Sequence, residues 1–289
     1  RPLLVLLACD LFDGKISKAI PAALAIELFH NFTLVHDDII DNAPLRRNKP
    51  TVYSKWNTNI AILSGDVMLV VSCRLISKAK LSKKIYAQVS ETFLSTATLV
   101  CEGQQWDLNY ERSETISVEQ YYKMIELKTA VLLAASMKIG ALIGGAKGED
   151  AEKLYEFGRN SGIAFQLQDD LLDVYGNAEK FGKQSGGDII ANKKTFLLIK
   201  AMELSAGNPQ KKKELAHWLS FIPKNEKEEK EKISGVKNIY DAVGVKKLAE
   251  SEIQLFYKKA FDSLSQISAS PEKKKTLNDF ISSMLKRES

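Results

Sequence analysis

The chain has 289 residues, 45% hydrophobic and 27% charged, enough for one large domain or two small ones with a sizeable core. Its 41 Lys and Arg against 36 Asp and Glu leave a formal net charge of +5, far from a polybasic nucleic-acid binder. Cys9, Cys73 and Cys101 are widely spaced and form no CxxC, which excludes a disulfide scaffold and a thiolate zinc site. Each lies in an apolar run, so buried reduced thiols and a cytoplasmic location are expected.

Taken in chain order, the pattern is helical almost throughout. Arg1 to Ala8 (Arg-Pro-Leu-Leu-Val-Leu-Leu-Ala) reads as the start of a buried helix, not a signal peptide. The chain begins without Met inside that element, so preceding sequence is expected to be missing. Apolar residues recur at three and four through Ala22–Ile40, Ile60–Ser77, Ile85–Leu99, Tyr121–Ile143 and Leu154–Val174. The run Ala130–Ala146 is interrupted by Lys138 and predicts a core helix; no transmembrane segment is expected. Ser117-Val-Glu-Gln120 reads as a capping box, and Asn208-Pro209 and Ser270-Pro271 as caps before a first-turn Pro. Residues 222–235 carry mixed charges and predict a solvated helix or loop. Without strict alternation or a linker, the expectation is all-α: a single-domain helical bundle over 1–289 with a central cavity.

Two clusters interrupt this apolar pattern: Asp37-Asp38-Ile-Ile-Asp41 and Asp169-Asp170-Leu-Leu-Asp173. On a helix the first and last Asp share a face, with the middle one alongside. Three desolvated carboxylates repel one another, and a divalent cation is the natural compensation. Oxygen-only ligation points to Mg²⁺ or Mn²⁺ rather than zinc, and two such clusters in one bundle would line a metal-bearing cavity. His36, beside Asp37, fits packing better than ligation of that oxygen site. His217, beside Trp218, likewise reads as packing.

Cations follow each cluster: Arg46, Arg47 and Lys49 after the first, Lys183, Lys193 and Lys194 after the second. Paired Arg suits bidentate phosphate recognition. Carboxylates, Mg²⁺ and Arg or Lys together describe a diphosphate site. There is no Walker A loop, Rossmann fingerprint or kinase signature to assign that diphosphate to a nucleotide.

With these motifs in place, the sequence from Arg1 to about Phe196 resembles the trans-type (all-E) polyprenyl diphosphate synthases, the farnesyl and geranylgeranyl diphosphate synthase family. The resemblance implies that Asp37, Asp38, Asp41, Asp169, Asp170 and Asp173 hold three Mg²⁺ ions on an allylic diphosphate. It gives Arg46 to that diphosphate, and Arg47, Arg1 and His30 to isopentenyl diphosphate. Arg1 matches the last residue of the family's Gly-Lys-x-x-Arg motif, whose Gly and Lys would precede it. Lys128-Thr129 match a Lys-Thr pair, Gln166 the Gln before the second motif, and Lys183 and Lys193 the two later lysines. Lys128, Thr129 and Gln166 would lie near the cation and phosphates. Gln184 stands where many relatives have Pro. Glu102, Gln105 and Asp107 match a stretch that lines the cavity in the family. A homodimer is implied as well.

The implied reaction is ionisation of the allylic diphosphate, attack by the isopentenyl double bond, and proton loss to the leaving diphosphate. Phe32 and Phe29 precede Asp37 on one helix, Phe32 roughly 7.5 Å back along the axis. The resemblance makes them a floor that favours a C20 product over C15. A non-catalytic subunit of a heteromeric synthase and a terpene cyclase are the alternatives. The former usually lacks an aspartate motif, and the latter needs no second diphosphate site.

Overall fold

The computed structural model describes residues 1–176 and 186–285. Fourteen helices are described: α1 (Pro2–Leu11), α2 (Ile16–Ile40), α3 (Val52–Lys55), α4 (Thr58–Lys78), α5 (Lys83–Glu111), α6 (Val118–Ile125), α7 (Val131–Gly144), α8 (Gly148–Tyr175), α9 (Gly187–Ile190), α10 (Phe196–Ser205), α11 (Pro209–Ser220), α12 (Glu226–Val243), α13 (Val245–Ser265) and α14 (Pro271–Leu285). A π-helical turn, Glu126–Ala130, joins α6 to α7. The one β element among the described residues is a two-residue ladder in which Leu45–Arg46 pairs antiparallel with Lys49–Pro50. The expected all-α class holds.

The helices start where capping chemistry puts them. Ser117 and Gln120 form the reciprocal capping box of α6. The Asn208 side chain accepts from the Lys211 amide, and the Ser270 hydroxyl from that of Lys273. Pro209 and Pro271 open their helices at the position where the missing N–H costs nothing.

The chain divides into two compact units. The first comprises Arg1–Thr98, Val131–Arg159 and Ala260–Phe280; the second comprises Leu99–Ala130, Asn160–Lys259 and Ile281–Ser289. In the first unit α1 packs on α2 and α7, and α2 on α4. From Val131 to Leu142 every residue of α7 except Lys138 is buried, as expected of a core helix. The second unit has its own core, with Tyr121, Leu167, Leu197, Tyr240 and Val245 at its centre. Each fully buried aliphatic side chain there contributes about 1.5–3 kcal/mol of transfer free energy.

By length and composition alone, Ile16–Ile40, Thr58–Lys78 and Val118–Gly144 could each cross a membrane. The apolar window of Val118–Gly144 is 72% buried inside the protein, whereas that of α4 is only 22% buried. Leu63, Val67 and Val70 of α4, at i, i+4 and i+7, are 65%, 61% and 59% exposed along one face.

Two expectations need correction. Cys9 is buried, but Cys73 is only partly covered and Cys101 is exposed, because an apolar run on a long helix also has an outer side. The charged stretch 222–235 is mostly solvated, yet Lys232 within it is 1% exposed.

Candidate active site

The first aspartate cluster ends α2. Asp38 is buried, Asp37 half-buried and Asp41 exposed at the helix C-cap. The tight β ladder after it returns Arg46 onto the cluster. Its Nε donates to Asp38 Oδ1 at 2.7 Å, and its Nη2 reaches Asp37 Oδ2 at 3.5 Å. Arg47 is exposed and, with Asn48, adopts positive φ in the tip of that ladder.

Also in the first unit, Arg1 Nη1 donates to His30 Nε2 at 2.8 Å. Burial, then the nearby guanidinium of Arg1, lowers the His30 pKa from 6.5 to about 3, so its ring stays neutral. His36 donates to the Ile62 carbonyl at 3.1 Å and sits edge-on to Phe32 at 4.9 Å, as expected of a packing residue. Phe29 is 1% exposed and meets Phe32 at 5.4 Å and Phe93 of α5 at 5.6 Å.

The second cluster lies near the end of α8 in the second unit. As in the first cluster the middle carboxylate is the buried one: Asp170 is buried, Asp169 exposed and Asp173 intermediate. Both oxygens of Asp170 are engaged. Tyr121 donates to Oδ2 at 2.6 Å, and Gln166 Nε2 to Oδ1 at 2.8 Å. Thr129 donates in turn to Gln166 Oε1 at 3.0 Å, so Thr129, Gln166, Asp170 and Tyr121 form one connected network. Burial raises the Asp170 pKa, with the two hydrogen bonds opposing it.

Lys128 and Thr129 occupy the π-turn, which the apolar periodicity did not reveal. Such a turn inserts one residue into a helix and exposes otherwise paired backbone groups. Its neighbour is Gly103: a Cβ there would lie 2.3 Å from Lys128 N and 2.6 Å from Leu127 C, so only glycine lets α5 approach. Lys128 Nζ donates to Asp107 Oδ2 at 2.6 Å. Of the polar patch expected after the apolar part of α5, Asp107 serves the site. Glu102 is exposed, and Gln105, also exposed, turns to Asn109.

These groups line a cavity of about 110 Å³ whose wall includes Asp107, Lys128, Thr129, Gln166 and Asp170. Glu111, Asp188, Lys193 and Lys194 are also in its charged lining. Sequence reasoning missed Asp188. Its signal was Gly186-Gly187-Asp188 placed between the second motif and Lys193. Asp173 Oδ2 accepts from the Asp188 amide at 3.0 Å, and burial with repulsion from Asp170 and Asp173 raises the Asp188 pKa. Lys183 lies outside the described residues.

Among the described residues no three His, Cys, Asp or Glu side chains form a closed metal cage. Mg²⁺ takes one or two carboxylates and completes its shell with water and substrate phosphate. Asp188, held above the ordinary carboxylate range by burial and then by repulsion from Asp170 and Asp173, is in the electrostatic situation a divalent cation relieves. The oxygen donor set therefore fits the ion.

Residues 1–239 match the family model described as polyprenyl synthetase. The chain is 41% identical over 203 residues to a geranylgeranyl diphosphate synthase of Methanosarcina mazei, covering 70% of this chain and 63% of that protein. To its counterpart in Sulfolobus acidocaldarius it is 37% identical over 271 residues, covering 93% and 80%. A crystal structure of a geranylgeranyl pyrophosphate synthase matches at a TM-score of 0.93 and 41% identity, over 100% of this chain and 87% of that one. Sequence and fold thus agree over most of the chain's length, and the chain belongs to the polyprenyl synthetase family.

Proposed function

We propose that the chain is a trans-prenyltransferase that condenses isopentenyl diphosphate head-to-tail with an allylic diphosphate to give a short product, C20 before C15. The observation that carries this reading is the cavity where Lys128, Lys193 and Lys194 meet Asp107, Asp170 and Asp188. Alternating cationic and carboxylate walls suit a metal-bound diphosphate. The relatives named geranylgeranyl diphosphate synthase support the C20 length. Both aspartate motifs are intact and Arg1 pairs with His30, which disfavours a non-catalytic subunit and a cyclase.

Asp37, Asp38, Asp41, Asp169, Asp170 and Asp173 would hold three Mg²⁺ ions, with Mn²⁺ able to replace them. Arg46 and Gln166 orient the buried Asp38 and Asp170. The chemistry a bound Mg²⁺ supplies is neutralisation of charge on the departing diphosphate. Lys128, Lys193, Lys183 and Arg46 hold phosphate oxygens, so the allylic C–O bond breaks with its electron pair going to the diphosphate. Arg1, Arg47 and neutral His30 hold the isopentenyl diphosphate. Its double bond forms the new C–C bond to the allylic carbon, and the diphosphate takes the proton released. Thr129 and Gln166 present oxygen atoms toward developing positive charge.

The whole chain, 1–289, is read as one domain, in keeping with the family model's match over residues 1–239. The exposed apolar face of α4 supports a homodimer. Unpaired Cys9, Cys73 and Cys101 fit a cytoplasmic enzyme.

One assay tests the reading: isopentenyl diphosphate with C5, C10 and C15 allylic primers and Mg²⁺, followed by mass spectrometry. Isopentenyl-dependent C20 product is expected; turnover of a primer without isopentenyl diphosphate would point to a cyclase.

A further inference from the structure

Lys232 is the residue that the charged stretch conceals. It lies on α12 in the buried stripe Lys232, Val236, Ile239 and Tyr240, where the helical pattern calls for an apolar side chain. It has no carboxylate within ion-pair reach among the described residues. Its Nζ donates instead to the carbonyls of Phe221 at 3.1 Å and Ile190 at 3.3 Å. Burial lowers its pKa, the ordinary cost of a desolvated ammonium. An uncompensated charge in a core stripe is expensive, so its two acceptors mark what it serves.

Phe221 is the C-cap of α11, whose carbonyls point outward with partial negative charge. Ile190 ends α9, the turn that carries Asp188 into the cavity and leads to Lys193. Other bonds fix the same segment. The Gly186 amide donates to the Asp173 carbonyl at 2.7 Å, with Gly186 at φ +90° and packed on Ile233, the residue after Lys232. Asn192, at φ +50°, donates to the Leu219 carbonyl at 2.9 Å.

We infer that Lys232 is a positioning residue: with Asn192 it anchors the 186–195 segment to α11 and α12, and so sets where Asp188 and Lys193 stand in the cavity. The inference rests on the reading that this cavity receives a diphosphate. Lys232 touches no substrate; it acts through the backbone of Ile190.

Two variants test it. Lys232→Met keeps the volume and removes the ammonium. Asn192→Gly keeps the positive φ and removes the bond to Leu219. Hydrogen exchange by mass spectrometry reads the anchor, and the KM for farnesyl diphosphate against kcat reads its consequence. In both variants the amides of 186–195 should exchange about tenfold faster or more, with those of α8 and α10 unchanged, and KM should rise about tenfold while Tm stays near wild type. Unchanged exchange in 186–195, or protection lost evenly across the unit with KM unaltered, would overturn the inference. If Lys232→Met does not fold, Asn192→Gly decides alone. Wild-type protein without prenyl transfer would refute the functional reading, while the exchange result still decides the anchor.

Discussion

Tyr121, fully inside the core of the second unit, spends its hydroxyl on Asp170 at 2.6 Å. The burial that raises its pKa keeps the phenol a donor, so the carboxylate is always the acceptor. Tyr121→Phe should keep the packing and release Asp170 Oδ2. A hydrogen bond to a charged group is worth about 1.5–3 kcal/mol, so kcat/KM should fall roughly tenfold or more. Steady-state kinetics beside a thermal melt would check this; full activity would mean that Gln166 alone holds Asp170.

Gly103→Ala should be far more damaging than its size suggests. The new Cβ meets the backbone of Leu127 and Lys128, which has nowhere to go but out of the π-turn. Activity should fall about 100-fold, because Lys128 and Thr129 move together. Gly162→Ala is a useful comparison, since its Cβ would crowd Ala130 at 2.6 Å and so strike only the last residue of that turn.

The two phenylalanines of α2 should separate. Phe29 is enclosed by Phe32 and Phe93, so Phe29→Ala should cost about 3–5 kcal/mol of stability. Phe32→Ala should leave the protein folded and lengthen the product beyond C20. An unchanged product distribution by mass spectrometry would remove Phe32 as the floor.

His30 gives a pH signature. Its folded pKa is depressed from 6.5 to about 3, so below 6.5 the unfolded chain takes up a proton that the folded one refuses. The stability it contributes is present above pH 6.5 and is lost as pH falls toward 3. His30→Gln should flatten that part of the Tm profile, and melts between pH 7 and pH 4 would show it.

The outer face of α4 predicts association. Val67→Glu places a charge among Leu63, Val67 and Val70 and should convert a dimer to a monomer. Light scattering after gel filtration reads the mass directly.

Much of this was legible in the residues. Three-four periodicity located the long helices, and Ser117, Asn208 and Ser270 marked their starts because capping is local chemistry. The aspartates stood out because carboxylates do not belong in apolar helices. What escaped was tertiary. Lys232 sits among solvated lysines that look the same in sequence, and only the carbonyls of Ile190 and Phe221 distinguish it. Asp188 follows two glycines like any turn residue, and the bond from its amide to the Asp173 carboxylate, which shows its place at the cavity, is tertiary. The burial of Asp38 and Asp170, with both neighbours in each motif more open, could not be told from three identical letters.

The π-turn at Glu126–Ala130 bears on how this protein can be stabilised. A turn of this kind accommodates a single extra residue in a helix. Deleting one residue there would convert the turn to ordinary α-helix, which is more regular and better bonded. It would also lack the bulge that presents Lys128 and Thr129. Under the proposed function, thermal endurance and turnover would therefore pull against each other at these five residues.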